Sequence, residues 1–381
     1  MDQDRGYDQA WKQERCRFLS TGESTVRSRL LSAAHAPPSR SLTPHARLSP
    51  RQVSLLARLA DPESVTTVEL PLEVSELSEV VIAADRHGVM PIVARNLAAA
   101  HVTRGSLFGE AARILDAHHD QLTVAVGQSM LLDHHAKRIT DCFAAHGIVA
   151  EIVKGPGFAD RLYRDRGDRQ YTDIDFLVAP HALDEANRVM PGVGFHRPQK
   201  AWDNSNRDCE YKWFLEGNRS ILVELHGSLV HSRALRRCIP FGHAELLAAR
   251  GEGNHVAIAD LIVATIHASC GHKLHRLNML VDVLQAARRI AATDEDALNV
   301  AVDRLGARLE MGVTLGVASD LFGDERVRAL AARFTDRWAV TLGRRLVTAE
   351  AVLAAQSGAG KVSRIRRHMF RQLQQVSIAR P

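Results

Sequence analysis

Residues 173–178 read Asp-Ile-Asp-Phe-Leu-Val, an apolar run holding two carboxylates one residue apart. Side chains alternate faces along a strand, so Asp173 and Asp175 are expected on one side while Ile174 and Phe176 enter the packing on the other. The run therefore suits a sheet with one apolar face and one chemically occupied face. Two carboxylates on one strand match a divalent cation: Mg²⁺ is commonly held by one or two carboxylates together with substrate phosphate oxygens. The lead expectation is an enzyme that uses Mg²⁺ (or Mn²⁺) and acts on a nucleoside triphosphate.

The surrounding sequence supplies neighbours for that strand. Gly147 is placed to cap a helix, after which Ile148 to Val153 reads as a short buried strand. Pro180 helps to start a helix running toward Met190. Tyr211 to Leu215 and Ser220 to His226 flank the turn residues Glu216 to Arg219, which predicts a hairpin. In the second arm Glu224 lies between Val223 and Leu225, with His226 on its face two residues on. If this arm lies beside residues 173–178, Asp173, Asp175 and Glu224 converge, enough to hold metal and to take a proton from an attacking hydroxyl. Lys154 and Gly155 close the first strand and lead into a helix near Pro156, a junction whose backbone N–H groups and lysine suit phosphate oxygens. Arg164, Arg166 and Arg169 precede the aspartates, and Arg169, nearest to them, is the expected triphosphate clamp. His226 is expected either to orient Glu224 or to contact phosphate.

The whole reads as α+β, a small mixed-sheet core at residues 146–250 between helical regions at 49–145 and 251–357. Helical periodicity supports the flanks, with Leu132, Ala136, Ile139 and Phe143 before the core and Leu277, Val281 and Leu284 after it. Residues 1–48 are expected to form a disordered basic arm and 358–381 a basic tail. Net charge is +5, with the excess at the ends, which leaves RNA binding through the tail as an alternative. The five cysteines are odd in number and lack CxxC spacing, so neither a disulfide framework nor a zinc ribbon is expected and a reducing cytoplasm is the simplest setting. No window is apolar enough for a bilayer span, so no membrane partner is expected. His267, His272 and His275 near Cys270 have no clean third ligand, which favours hydrogen-bonding or structural roles, with His272 and His275 on one helix face. Gly358-Ala359-Gly360-Lys361 lacks the first glycine and the final hydroxyl of a phosphate loop and reads as a flexible break.

Lys154-Gly155, Leu162-Tyr163, Arg169, Asp173 to Val178 and Val223-Glu224-Leu225-His226 together resemble the uncharacterised bacterial nucleotidyltransferase family of the polymerase-beta-like superfamily. Arg86 to Pro91 with Arg95-Asn96-Leu97 resembles its N-terminal helical segment, and His267, His272, Arg276-Leu277 and Asp282 resemble its downstream pattern. The resemblance covers roughly residues 50 to 290. It implies a nucleotidyltransferase core in which Asp173 and Asp175 hold metal, Glu224 binds metal or acts as base, and Lys154, Gly155, Arg169 and His226 bind the nucleotide. An acceptor hydroxyl would attack the α-phosphate, with pyrophosphate leaving. The acceptor is open among a small molecule, peptide, protein and RNA, and the family's setting suggests natural-product biosynthesis. Lys-Gly stands where the superfamily has Gly-Ser, the interval to the aspartates is long, and Glu224 replaces the commoner Asp. A catalytically silent binding or antitoxin-like module on the same fold is the main rival.

Overall fold

The computed structural model describes residues 48–64, 74–99, 106–197, 209–251, 255–335, 337–354 and 361–378. All but the last residue of the expected arm at 1–48, and the Gly358–Gly360 break, lie outside the described residues.

Alternation along the strands builds a five-stranded sheet in the order β1-β2-β5-β4-β3. The strands are β1 (Ala150–Ile152), β2 (Asp173–Val178), β3 (Phe195–His196), β4 (Glu210–Leu215) and β5 (Asn218–His226). β2 runs parallel to β5, and the remaining pairs are antiparallel. This mixed sheet within a largely helical chain makes the fold α+β.

One face collects Ile174, Phe176, Val178, Trp213, Ile221, Val223 and Leu225 into a buried cluster with Leu132, Ala136, Ile139 and Phe143 of the helix Ser106–Ala145. Those four residues recur at intervals of three and four, so they form the stripe a helix needs to lie along an apolar sheet face. The other face carries Asp173, Asp175, Glu224 and His226 at the alternate positions. Leu177, also on this face, belongs to the larger core shared with the flanking helices, including Leu277, Val281 and Leu284 of Leu277–Arg288.

The N- and C-terminal helices meet around His87. Its Nδ1 accepts the Leu277 backbone N–H at 3.2 Å, so Nε2 carries the proton and donates to the Leu353 carbonyl at 3.1 Å. Burial, the main cause, pushes this imidazole down to about 4. Gly88 follows at φ +68°, with the Asn278 amide 3.1 Å from where its Cβ would stand. Asn96 donates to the Leu59 and Asp61 carbonyls, both at 2.9 Å. The upstream residues that suggested a family relationship therefore knit helices together.

The expected basic tail is not a tail over most of its length. Lys361–Ile378 is a helix whose Phe370 and Leu373 are buried in the main core, while Arg371 donates to the Cys270 carbonyl. Arg364 and Arg366 face outward, while the inward positions hold Phe370, Leu373, Ser363 and Gln374 together with Arg371, whose guanidinium is held by its bond to the Cys270 carbonyl.

Candidate active site

The parallel register between β2 and β5 sets Asp175 directly beside Glu224 and Asp173 beside Leu222. Lys154 enters from the end of β1, and its Nζ lies 2.7 Å from Asp175 Oδ1. His226 Nε2 reaches the same oxygen at 2.8 Å and Glu224 Oε2 at 3.3 Å. On the far side, β4 pairs Lys212 with Glu224 and Glu210 with His226. Lys212 Nζ bridges Glu224 Oε1 at 2.6 Å and Glu210 Oε1 at 2.9 Å, and His231 Nδ1 lies 2.7 Å from Glu210 Oε2. Three adjacent strands, with the segments that follow β1 and β5, thus assemble four carboxylates, two ammonium groups and two imidazoles.

Burial and charge set the protonation states. Burial works to raise the Asp175 carboxyl, yet Lys154 and His226 outweigh it and hold it well below the usual carboxylate range. Burial likewise opposes charge on Lys154, but the carboxylates of Asp175, Asp173 and Glu224 prevail and raise its ammonium. His226, fully enclosed, is lowered by burial and raised more by its bonds to Asp175 and Glu224, reaching about 9. Asp173 is the exception. Burial, reinforced by the Asp175 charge, pushes it up to about 7, and among the described residues no cation makes an ion-pair contact with it. A carboxylate in that state is one that an added cation would stabilise.

These residues line a cavity of about 480 Å³, within the size range of small-ligand sites. The sheet contributes Asp173, Asp175, Glu210, Lys212 and Glu224 to its lining, and Lys154 and Arg169 join them from the connecting segments. The helical side contributes His267, Gly271 and His272. Hard oxygen donors beside two ammonium groups suit a divalent cation carrying an anionic substrate, and ligand atoms of Asp175, Glu224 and His226 lie within 4.8 Å of one another. Such an ion supplies charge neutralisation at phosphoryl oxygens.

The sequence model of the family described as "Uncharacterised nucleotidyltransferase" matches residues 74–323, more than half of the 381-residue chain. The chain belongs to that family. No curated protein and no solved structure matches it. Membership in a nucleotidyltransferase family supports a transferase activity with a nucleoside triphosphate substrate. The matched span contains all five strands, the acidic face and the histidines on the helical side.

Within this nucleotidyltransferase framework several expected site residues behave differently from their sequence reading. Arg169 lines the cavity, but it is not a free clamp: its Nε and Nη2 each donate to Asp282 at 2.8 Å and Nη1 donates to the Gln170 carbonyl at 3.2 Å. His226 is 0% exposed and outside the cavity lining, with its Nε2 between Asp175 and Glu224. The junction after β1 also offers fewer donors than expected, because Pro156 has no N–H and the Gly157 N–H donates to the Lys154 carbonyl at 2.9 Å. His272 and His275 do not share a helix face: they occupy the non-helical connection before Leu277–Arg288, with rings stacked 5.2 Å apart. Glu210, Lys212 and His231 were missed. The alternation of Glu210 and Lys212 with Tyr211 and Trp213 was the available signal, the same one that exposed Asp173 and Asp175.

Gly155 has a conformational reason to be glycine. Its backbone sits at φ 51°, ψ −118°, outside the regions open to L-residues. A Cβ there would stand 2.9 Å from the Asp173 carbonyl oxygen, inside β2 itself. Gly155→Ala is expected to lower stability by roughly 1–3 kcal/mol from strain alone, and to displace Lys154 from Asp175. Thermal and denaturant unfolding check this; a melting temperature equal to wild type would contradict the described turn.

Proposed function

We propose that the chain transfers a nucleoside monophosphate from a nucleoside triphosphate to an acceptor hydroxyl in a reaction that requires Mg²⁺ or Mn²⁺. The observation that carries this reading is the placement of Glu224 in register with Asp175 on the neighbouring parallel strand, with Asp173 on the same face. Asp173 and Asp175, with Glu224, would hold the metal, which would supply charge neutralisation at the phosphates; Lys154 and Lys212 add positive charge beside them. Arg169 supplies fixed positive charge from the cavity wall, and Gly155 shapes the turn that presents Lys154. The acceptor hydroxyl gives up its proton to the Glu224 carboxylate, its oxygen bonds to the α-phosphorus, and the bond to the bridging oxygen breaks to release pyrophosphate. The acceptor is a small molecule, peptide, protein side chain or RNA end, and natural-product biosynthesis is the proposed setting.

One observation favours a rival. Lys154 and Lys212 already neutralise Asp175 and Glu224, which is the arrangement a silent binding module would also keep. Incubation with each α-labelled nucleoside triphosphate, a cell extract and Mg²⁺ or Mn²⁺ separates the two. Label transfer that stops when EDTA is added is expected; no transfer with any triphosphate across varied extracts selects the silent module, and transfer indifferent to EDTA removes the metal.

A further inference from the structure

The cavity is unusual in what it lacks. Among the described residues Leu222 is the sole aliphatic side chain in its lining, and no Phe, Tyr or Trp is among them. The phosphate end of a nucleotide has ample charge to meet, but a nucleobase needs a flat partner. The rings that line the cavity are imidazoles: His231 at the sheet side, and His267 and His272 at the helical side.

Those two helical-side histidines are held by irregular backbone. After the helix Val256–Ile266 the chain widens into a π-helical turn over His267–Gly271, a feature that recurs at functional sites. It then passes through Lys273 at φ 55° and Leu274 at φ 53°, consecutive left-handed residues with no glycine to ease them. A left-handed leucine is a genuine outlier, and such strain persists where the surroundings enforce it. Here Leu274 is fully buried, its N–H donates to the Ala268 carbonyl at 2.7 Å, and Arg371 of the last helix grips the Cys270 carbonyl. The outcome is a fixed ring array: His272 lies edge-on to His267 at 4.7 Å and stacked on His275 at 5.2 Å, 29° from parallel. Gly271 lies between the array and His231: the Cβ position there is 3.7 Å from His267 Cδ2 and 3.9 Å from His231 Cδ2. His272 is solvent-exposed where it meets the cavity.

We propose that His272, backed by His267 and His275, is the platform on which the nucleobase of the triphosphate stacks. The inference rests on the nucleotidyl-transfer reading above. Burial, with the Lys154 charge, keeps His267 well below its usual value, so this ring is neutral and backs His272 with a π-system rather than a charge. Stacking is tolerant of base identity, so the site discriminates weakly among the four triphosphates. Arg371 is a positioning residue that acts through the turn.

The test compares equilibrium binding of the α,β-methylene analogues of the four nucleoside triphosphates with that of inorganic tripolyphosphate, all with Mg²⁺, to wild type, His272→Ala and His272→Phe. His272→Ala is expected to weaken the analogues by about 10-fold or more and to leave tripolyphosphate binding unchanged, with His272→Phe restoring most of the loss. Unchanged analogue binding in His272→Ala, or equal weakening of both probes, overturns the platform and leaves the triphosphate site standing. Wild-type protein that binds neither probe overturns the nucleotide reading itself, and the platform with it. Matching unfolding curves for the three proteins, expected for an exposed side chain, confine the comparison to the site.

Discussion

Asp175→Asn is expected to abolish label transfer, by at least about 10³-fold, while the protein stays folded; Asp175→Ala is expected to abolish transfer and also to lower stability by about 3–5 kcal/mol. The difference follows from one oxygen of this carboxylate. Oδ1 accepts from Lys154 Nζ at 2.7 Å and from His226 Nε2 at 2.8 Å, all three residues being buried. An asparagine carbonyl at that position still accepts both hydrogen bonds, so the neighbours lose charge but keep partners. Alanine leaves a buried ammonium and imidazolium without their shared acceptor, the condition under which breaking a buried pair is most costly. Activity depends on the charge itself, because a neutral amide is a poor ligand for a hard divalent cation. Denaturant unfolding and α-label transfer on the same preparations check both halves. Near-wild-type transfer by Asp175→Asn would remove the carboxylate from the chemistry; equal stability of the two variants would remove the buried-pair argument.

The parts of this arrangement visible in the sequence are those governed by short-range alternation. A period of two within an apolar run sufficed to put Asp173 with Asp175 and Glu224 with His226, and an acid between Val223 and Leu225 could not be idle. β4 obeys the same rule, but the expected strand began at Tyr211, one residue short of Glu210, whose alternation with Lys212 carries the signal. The partner of Arg169 was not legible at all, since Asp282 is 113 positions away and is brought near by helix packing. The histidine turn misled for another reason: nothing in Lys273-Leu274 announces left-handed backbone, which glycine or asparagine normally signals. At the C-terminus, arginines obscured an amphipathic pattern whose inward side holds Phe370 and Leu373. Local rules gave the carboxylates their face; long-range contacts decided which cations remain available to a substrate.

Arg169 makes that distinction measurable, and its variants carry the second large expected effect. Asp282 is 1% exposed and accepts the Arg169 fork at 2.8 Å through each oxygen, with the Tyr163 hydroxyl adding a third bond at 2.7 Å. Asp282→Ala strands a buried guanidinium and is expected to lower unfolding free energy by about 3–5 kcal/mol. Arg169→Met removes the cation instead, leaving Asp282 with Tyr163 alone, and a loss of similar order is expected. The double variant should lose clearly less than the sum, because neither charge is then left uncompensated in the core. A purely substrate-facing clamp would give the opposite pattern: Arg169→Met would weaken tripolyphosphate binding with little change in stability, and Asp282→Ala would cost under about 1 kcal/mol. Denaturant titration of the four proteins, with tripolyphosphate affinity measured on each, decides between them. The bidentate geometry predicts strong coupling in stability. The presence of Arg169 in the cavity wall adds a smaller effect on affinity, since its charge faces the substrate already balanced by Asp282.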